Sequence, residues 1–314
     1  MNRLKVCFIG FGSIARRHIS NLVQVCQTME MDLIIELCRS NNTREMDPNY
    51  EGMINTVYYG IDDIPDDYDI IFVTNPTKCH FDTLVRVQEK AKHFFVEKPV
   101  FDRTNVDISK LTFPRGGVCY VACPLRYTSV IQYLKKNINF KKIYSVRSIS
   151  SSYLPNWREG IDYRTTYSAH KTLGGGVAID LIHEWDYITY LMGMPEKVHN
   201  ILGKFSDLEI DSEDLAIYIA QYKDKCVELH LDYFGRKPMR KIELYGKEDT
   251  IIGDLISNEV IYLNGGQKLT FDEERNDYQR RELLTFLGMI FKNEKNSNDI
   301  ANACQILDLA NGML

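Results

Sequence analysis

Short apolar segments alternate with longer amphipathic ones over the first 123 residues. The apolar segments span 4–9, 33–38, 69–74, 93–96 and 118–122. Between them, helical periodicity covers 16–23 and 77–91. Nearly continuous apolar strands that alternate with helices are typical of a parallel sheet covered on both faces. The pattern therefore predicts an α/β Rossmann domain, a doubly wound parallel sheet.

Beyond about residue 140 the pattern changes to alternating apolar and polar positions. The alternating segments span 143–153, 215–222, 227–233 and 240–245, with short turns at 223–225 and 264–266. Strands of this kind have one face on a core and one face toward solvent. The pattern predicts an α+β domain with an open, mostly antiparallel sheet. Helical periodicity predicts one long helix over 177–192 and two more over 278–291 and 298–311.

The length of the chain fits two domains. It has 314 residues, and a typical domain has about 100–200. We place the first domain at 1–123 and the second at 124–314, with the last helices packing back on the first domain as an alternative for the end of the chain. At 44% hydrophobic and 26% charged residues, the composition is that of a globular protein and not of a disordered one.

Charge and hydropathy exclude several classes of partner. A helix needs about 20 consecutive apolar residues to span a bilayer, and no segment of this sequence approaches that length. No signal peptide is recognisable either, so we expect a cytoplasmic protein without membrane contact. The net charge of −5 comes with no basic block, which argues against nucleic acid. The eight cysteines form no CxxC pair. We expect free thiols in a reducing compartment and no metal site.

A glycine-rich turn follows the first predicted strand directly. Gly10 permits a tight turn, Gly12 lets the backbone approach a pyrophosphate, and Ala15 is small enough for a helix to pack on a strand. Ser13 and Ile14, with Ala15, begin the following helix, whose N-terminal N–H groups bind phosphate. The order strand, glycine turn, helix predicts a dinucleotide site at residues 10–15.

The end of the second strand bears on the choice between NADP and NAD. An acidic side chain there would bind the ribose 2′-hydroxyl of NAD, but this chain has Arg39 and Ser40. Glu36 comes three residues too early for that role. A guanidinium beside a hydroxyl suits a 2′-phosphate, which favours NADP. The alternative is that Arg39 is a solvated strand end and that NAD binds.

Several motifs together resemble one family of oxidoreductases. They are Gly10 to Ala15, Asn75-Pro76 with His80, Glu97-Lys98-Pro99, Arg126-Tyr127, Gly174 to Gly176, and Asp180 to Asp186 with His183. Together they resemble the Gfo/Idh/MocA family (glucose–fructose oxidoreductase, inositol dehydrogenase, rhizopine catabolism) over almost the whole chain. The resemblance implies a Rossmann domain and oxidation or reduction of a sugar-like alcohol. It also implies a C-terminal sheet whose outer face makes a homodimer or homotetramer.

The resemblance also assigns candidate roles around the cofactor. It places Lys98 beside the nicotinamide as the acid/base group, with Asn75, Pro76, His80 and Glu97 as further residues of the cofactor site. A lysine acts as a base near neutral pH only if its pKa falls from about 10.4, as desolvation or a neighbouring cation would cause. Glu97 could instead anchor the turn, and Pro99 could follow a cis bond.

A second pair of candidates lies on the helix after the glycine run. A histidine side chain has a reference pKa of about 6.5, so His183 can share or relay the proton. Asp180 could bind a substrate hydroxyl or orient the imidazole. Many relatives have these two residues four positions apart, whereas here they are three apart. Both spacings place them on one face of a helix. Which of Lys98 and His183 is the principal proton acceptor stays open.

Aromatic and guanidinium groups are dense between residues 153 and 164. The candidate substrate-binding residues are Tyr153, Trp157, Arg158, Tyr163 and Arg164, together with Arg126, Asp180 and His183. Aromatic rings stack on sugars, and the polar groups can bind hydroxyls. The arginines also suit phosphate or carboxylate, so a nucleotide sugar or an acidic sugar fits. The alternative is an irregular loop that packs on the other domain or a neighbouring subunit.

The leading hypothesis is an NAD(P)-dependent oxidoreductase acting on a sugar, a cyclitol or a nucleotide sugar. One alternative is a catalytically silent regulator of the same fold that senses dinucleotide, against which the presence of both Lys98 and His183 argues. Another is a reductase of a non-sugar carbonyl, for which the polar segment at 153–164 is a poor fit.

Overall fold

A computed structural model describes the fold for residues 3–41 and 45–313. The chain divides into two compact units. The first comprises Met1–Ala122 and Arg275–Cys304, and the second comprises Cys123–Glu274 and Gln305–Leu314. The last of these boundaries falls inside the final helix, Ile300–Ala310.

The first unit is built on a six-stranded parallel sheet in the order β3-β2-β1-β4-β5-β6. Its strands are β1 Arg3–Ile9, β2 Asp32–Cys38, β3 Thr56–Tyr58, β4 Tyr68–Val73, β5 Ala91–Val96 and β6 Cys119–Val121. Its helices are α1 Ser13–Thr28, α2 Pro48–Glu51, α3 His80–Val87 and α7 Arg275–Phe291. The order reverses between β1 and β4, as in a doubly wound sheet, where ligands bind at the carboxyl ends of the strands.

Aromatic side chains form much of the core of the first unit. Phe8 and Phe72 stack across the adjacent strands β1 and β4 with ring centroids 4.4 Å apart. Phe95 on β5 meets Phe286 on α7 at 5.3 Å, and all four rings are fully buried. Such stacked and edge-on pairs contribute beyond their buried area. They explain why the central strands are apolar at almost every position.

The second unit is built on an eight-stranded sheet in the order β14-β13-β12-β11-β7-β10-β9-β8. The strands are β7 Ile143–Tyr153, β8 Lys197–Gly203, β9 Leu215–Gln221, β10 Cys226–Asp232, β11 Phe234–Gly246, β12 Thr250–Asp254, β13 Glu259–Tyr262 and β14 Lys268–Thr270. All neighbours are antiparallel except β7 and β10. The helices are α4 Ser129–Asn137, α5 Val177–Asp180, α6 His183–Met192 and the C-terminal part of α8 Ile300–Ala310.

One face of this sheet carries the core of the second unit. On β9 the side chains of Ala216, Tyr218 and Ala220 are fully buried, whereas Ile219 on the other face is exposed. Trp185 on α6 packs edge-on against Tyr218 at 5.2 Å. Together the two sheets confirm the predicted fold class, a Rossmann domain followed by an α+β domain with an open, mostly antiparallel sheet.

Two helix predictions were wrong in their extent. The helix expected over 77–91 is a 3₁₀ turn at Thr77–Cys79 followed by α3, and Ala91 already belongs to β5. The single helix expected over 177–192 is divided into α5 and α6. Apolar periodicity marks the buried face of a helix but does not distinguish i→i−4 from tighter i→i−3 bonding.

No helix of the described residues has the length and apolar character needed to cross a bilayer.

Candidate active site

The glycine turn at the end of β1 has the backbone geometry that its residues predict. Gly10 has φ +96°, and a Cβ there would lie 2.7 Å from the Cα of Asn75, so only glycine fits. A Cβ on Gly12 would meet nothing within 4 Å. Gly12 caps α1 without any side-chain hydrogen bond, which leaves N–H groups of the first helical turn for an anion.

A cavity of about 890 Å³ opens beside this turn. Six of the predicted cofactor residues line it: Gly10, Gly12, Arg39, Ser40, Asn75 and Pro76. The rest of the lining was not predicted from the sequence: Ile9, Phe11, Cys38, Asn41, Tyr59, Gly60, Ile61, Thr74, Cys79 and Arg86. The predicted residues Ser13, Ile14, Ala15, His80, Glu97 and Lys98 lie outside this lining. The cavity has the size of a cofactor site.

Two arginines lie near the end of β2, and one of them, Arg16, pairs with Asp47 at 3.3 Å. The guanidinium of Arg39 lies 6.0 Å from the centre of the Phe11 ring, and that of Arg16 lies 5.8 Å from the same ring. Glu36 is buried, and its carboxylate accepts a 2.5 Å hydrogen bond from the Tyr68 hydroxyl. The carboxylate of Glu36 is therefore held inside the sheet by Tyr68.

The loop that carries Lys98 is fixed by a buried pair on its N-terminal side. The Nε2 atom of His18 on α1 donates to Oε1 of Glu97 at 2.6 Å, and Oε2 of Glu97 accepts from the Lys98 N–H at 3.1 Å. His18 is 1% exposed and Glu97 is 8% exposed. Burial alone would raise the pKa of Glu97, but His18 and Lys98 outweigh it and hold this pKa below its usual range. Glu97 thus anchors the turn, the alternative that the sequence left open.

A second histidine holds the same loop on its C-terminal side. His80 is buried, with Nδ1 3.1 Å from the Val100 carbonyl and Nε2 3.0 Å from the Asn75 carbonyl. Burial lowers the pKa of His80, although its backbone hydrogen bonds oppose that shift. The Lys98–Pro99 peptide bond between the two anchors is cis. The loop is therefore tied to α1 through Glu97 and to the end of β4 through His80.

Asp180 and His183 lie at the break between α5 and α6. The N–H of Ile182 bonds to the Ile179 carbonyl and that of Glu184 bonds to the Leu181 carbonyl, both i→i−3. These tighter bonds divide the helical segment between Asp180 and His183. Asp180 is 5% exposed and His183 is half-buried.

Two tyrosines that the sequence analysis missed contact Asp180. The Tyr233 hydroxyl donates to Oδ2 of Asp180 at 2.6 Å. Burial and the Asp180 carboxylate together raise the pKa values of Tyr233 and Tyr167. Tyr233 directly follows β10. Its position at a strand end is the one sequence feature that could have marked it as a site residue. Trp157 packs edge-on against the Tyr233 ring at 5.2 Å, so one predicted substrate residue joins this cluster.

The other predicted substrate residues differ in what they contact. Arg158 lies over the Tyr167 ring at 5.4 Å, and Tyr153 lies under the guanidinium of Arg236. Arg164 makes ion pairs with Asp162 and Glu209, and the Tyr163 hydroxyl accepts from the Glu209 N–H. Arg126 is buried in a bidentate pair with Asp186, both bonds being 2.7 Å. A guanidinium in such a pair is already satisfied.

No group of three or more His, Cys, Asp or Glu side chains is arranged to hold a metal ion within residues 3–41 and 45–313.

Comparison with known proteins matches both parts of the chain to one family. Residues 4–111 match the model described as "Oxidoreductase family, NAD-binding Rossmann fold", and residues 131–252 match the Gfo/Idh/MocA C-terminal domain. The chain belongs to the Gfo/Idh/MocA oxidoreductase family. This result confirms the resemblance drawn from the motifs, and it agrees with the nucleotide-binding fold of the first unit.

One curated enzyme is similar to this chain at low identity. Glucose-6-phosphate 3-dehydrogenase of Bacillus subtilis (strain 168) is 24% identical over 231 residues, which is 70% of this chain and 63% of that enzyme. The match therefore spans less than two thirds of that enzyme's length.

Solved structures match the whole fold at low identity. Levoglucosan dehydrogenase in complex with NADH and levoglucosan has a TM-score of 0.83 at 16% identity, covering 99% of this chain and 96% of that one. The UDP-N-acetylglucosamine 3-dehydrogenase of Acidithiobacillus ferrooxidans has a TM-score of 0.76 at 16% identity, covering 100% and 97%. At this identity the likeness establishes the fold.

Proposed function

We propose that this protein is an NAD(P)-dependent oxidoreductase that transfers a hydride between nicotinamide and a hydroxyl or carbonyl of a sugar, a cyclitol or a nucleotide sugar. The proposal rests mainly on how the first unit arranges its glycine turn and its Lys98 loop. There a glycine turn fitted to a dinucleotide and a loop carrying Lys98 are tied together by the buried His18–Glu97 pair. Both features lie at the carboxyl ends of parallel strands, where ligands bind in doubly wound sheets.

The residues of the site suit the proton transfers of such a reaction. When bound, the nicotinamide donates or accepts the hydride. Lys98 is the proposed acid/base group for the hydroxyl proton, with His183 sharing or relaying that proton. Asp180 accepts from Tyr233, and its carboxylate is proposed to bind a second hydroxyl of the substrate. Glu97 and His80 hold the Lys98 loop in place.

NADP is the proposed preferred cofactor. Arg39 and Ser40 line the cavity at the end of β2, and the carboxylate of Glu36 is engaged by Tyr68. A ribose 2′-phosphate would therefore meet a guanidinium and a hydroxyl. The proposed cofactor site comprises the glycine turn and the start of α1, the end of β2, and the loops after β4 and β5. Its residues are Gly10, Gly12, Ser13, Ile14, Ala15, Arg39, Ser40, Asn75, Pro76, His80, Glu97 and Lys98.

The two units are proposed to act as a cofactor-binding domain and a substrate-binding domain. In the second unit, the substrate residues best supported by their surroundings are Trp157, Arg158 and Tyr153, beside Asp180 and His183. The relatives named for glucose 6-phosphate, levoglucosan and a UDP-sugar all act on sugars by name, which supports a sugar-like substrate. A cytoplasmic location fits a reaction that uses a nicotinamide cofactor.

The outer face of the eight-stranded sheet is the proposed contact between subunits of a homodimer or homotetramer. Ile201 on β8 and Ile219 on β9 are 57% and 41% exposed on it. A row across the sheet adds Glu228, Arg147 and Glu243, which pair by charge. Apolar groups beside paired charges are typical of surfaces that a second copy covers.

The test is dinucleotide binding followed by turnover. NADPH and NADH are titrated by fluorescence, and a panel of sugars and nucleotide sugars is then scored by the absorbance of reduced nicotinamide. Gly12→Asp should abolish binding because it places a carboxylate in an open turn that faces phosphate. Gly52→Asp is the matched control, since its Cβ would also meet nothing within 4 Å. Tight dinucleotide binding without turnover of any sugar would favour the silent regulator.

A further inference from the structure

The helix that carries His183 starts without a side-chain cap. Helix α6 begins at His183, and the residue before it, Ile182, has no polar atom in its side chain that could accept from the first N–H groups. The N–H groups of a first turn have no partner within their own helix. Side-chain contacts of the residues in this turn therefore decide how firmly His183 is held.

Glu184, the next residue, makes such a contact with the sheet. Its side chain is fully buried, and its Oε1 atom lies 2.9 Å from Nε of Arg240 on β11. The Arg240 side chain is 24% exposed. Burial raises the pKa of Glu184, and the guanidinium of Arg240 is the strongest influence against that shift. The ion pair is therefore the main compensation for a carboxylate placed in the core.

Arg240 stands in an otherwise apolar row on the core face of β11. Ile242 and Leu244, the next residues on that face, are fully buried. In the register Arg240 lies opposite Ser150 of β7, which is also buried. The register of the two strands is irregular just before Arg240, between Phe234 and Met239. Irregularities of this kind redirect side chains and are frequent beside active sites.

Stability alone does not account for a buried ion pair. Removing both charges from water costs about as much free energy as their attraction returns, and an apolar pair of similar volume is often as stable or more stable. An ion pair differs from apolar packing in its direction, because it holds two atoms at one short distance. Here one of the two atoms belongs to the residue that follows His183.

We infer that Glu184 and Arg240 are positioning residues for His183, whose ion pair fixes the first turn of α6 to the core face of the sheet and so sets where the imidazole lies. The inference rests on the proposed role of His183 in proton transfer and adds two residues that act through it. A general acid or base works only within hydrogen-bond reach of its proton. A shift of the first turn of α6 would therefore reach the chemistry through the imidazole.

The first test compares two substitutions of Arg240 by steady-state kinetics. Arg240→Gln leaves the buried carboxylate without a cation and should lower kcat by about tenfold or more, because a misplacement of about 1 Å costs up to about 10²-fold. The KM for NADPH should stay within about twofold of the wild-type value, since the glycine turn lies in the first unit. Arg240→Lys keeps a cation that reaches the carboxylate and should retain kcat within about threefold. Equal losses in both variants would overturn the ion pair as the cause.

A second test separates position from stability. The double variant Glu184→Leu with Arg240→Met replaces the ion pair by apolar side chains and should unfold at the same or a higher denaturant concentration than the wild type. Its kcat should nevertheless fall by about tenfold, because apolar packing is not directional. Wild-type kcat in this variant would show that the pair has a structural role only and would overturn the inference. The double variant also carries the test if Arg240→Gln fails to fold.

Lys268→Gln is the matched control. It breaks another ion pair of the same sheet, that of Lys268 with Glu259 at 2.6 Å, at the edge formed by β13 and β14. This variant should keep wild-type kcat. A fall equal to that of Arg240→Gln would show a general sensitivity to lost charge and overturn the inference.

The position of His183 can also be followed without turnover. In protein with isotope-labelled histidine, the imidazole resonances of His183, assigned through His183→Gln, should shift in Arg240→Gln and in the apolar double variant but not in Lys268→Gln. If no sugar is turned over but these shifts occur, the positioning pair stands and the proposed oxidoreductase does not. If sugars are turned over and neither kcat nor the resonances change, the pair is wrong and the oxidoreductase stands.

Discussion

Arg39 is the residue on which the choice of dinucleotide depends. It lines the cofactor cavity directly after β2, where its guanidinium and that of Arg16 both lie near the Phe11 ring. A 2′-phosphate placed there would gain a charge-assisted hydrogen bond, which contributes about 1.5–3 kcal/mol.

The substitution Arg39→Asp should therefore shift the preference from NADPH toward NADH by about tenfold or more. The new carboxylate would repel a 2′-phosphate and accept from a 2′-hydroxyl. The ratio of the two Kd values, from fluorescence titration, measures this shift. Arg115→Asp is the control, an exposed arginine of the same unit outside the cavity lining. An unchanged ratio in Arg39→Asp would mean that the end of β2 does not select the cofactor.

Residue types and their positions at strand ends were enough to predict part of the site. Gly10, Arg39 and Asn75 each follow a predicted strand, and all three line the cavity. His18 and Tyr233 were missed because their partners, Glu97 and Asp180, are 79 and 53 residues away in the chain. Local pattern carries no information on such pairs, which form only when the sheet brings the elements together.

At the scale of elements, helix α1 and the loop after β5 are held together by His18 and Glu97. The Nδ1 atom of His18 is buried with no hydrogen-bond partner among the residues that the structure describes. The Nε2 atom therefore makes the one hydrogen bond of this ring, to Glu97. The hydrogen bond between His18 and Glu97 thus connects the helix that follows the glycine turn with the loop that carries Lys98.

Replacing Glu97 by Gln should loosen this connection. The amide oxygen can accept from only one of the two donors, His18 Nε2–H and Lys98 N–H, and the amide nitrogen would face the other donor. We expect a loss of about 1–3 kcal/mol in the free energy of unfolding. We also expect a fall in kcat larger than the change in KM for NADPH. Denaturant unfolding and steady-state kinetics measure the two effects.

The pH dependence of this variant has a definite sign. The pKa of Glu97 is lowered in the folded protein. The ionised side chain therefore stabilises the fold at any pH above the pKa that Glu97 has in the unfolded chain, about 4.3. This stabilisation is lost as the pH falls through the folded pKa. The stability difference between wild type and Glu97→Gln should therefore shrink on acidification. A difference that grows as the pH falls would contradict this account of the His18–Glu97 pair.

The extent of the helices shows where periodicity alone was insufficient. It identified the helical segments around Asp180 and His183 but not the i→i−3 turn that divides them. It also carried the helix from Thr77 on to Ala91, which is the first residue of β5. In both places the chain tightens or turns while apolar residues continue to recur at helical spacing, so the pattern gives no sign of the change.

At the scale of the whole molecule, two sheets of different kinds divide the chain. The class of each sheet was predictable, because continuous apolar strands indicate a parallel sheet and alternating ones an open sheet. The order of the strands was not predictable. Strand β7 lies between β10 and β11, nearly a hundred residues later in the chain, and α7 belongs to the first unit. Such long-range placement depends on which faces fit together and not on local periodicity.

The outer face of the eight-stranded sheet leads to a prediction about assembly. Ile219→Lys should shift the protein to a smaller species in size-exclusion chromatography with light scattering, because it buries a charge in the proposed contact. The monomer should still fold, since position 219 lies opposite Glu228 in the register.

Ile256→Lys is the control for assembly. Ile256 is 56% exposed and lies outside the strands, after β12, so this variant should leave the mass unchanged. A monomeric wild type, or an Ile219→Lys protein with wild-type mass, would contradict the proposed contact.

The most direct test of the account is the turnover of Lys98→Ala. Loss of a positioned acid/base group should lower kcat by about 10²–10⁴, while NADPH still binds because the glycine turn and cavity lining are unchanged. Lys92→Ala is the matched control, an exposed lysine near the start of β5, and it should keep wild-type kcat. Undiminished turnover in Lys98→Ala, with the same substrate and cofactor, would contradict the proposed mechanism.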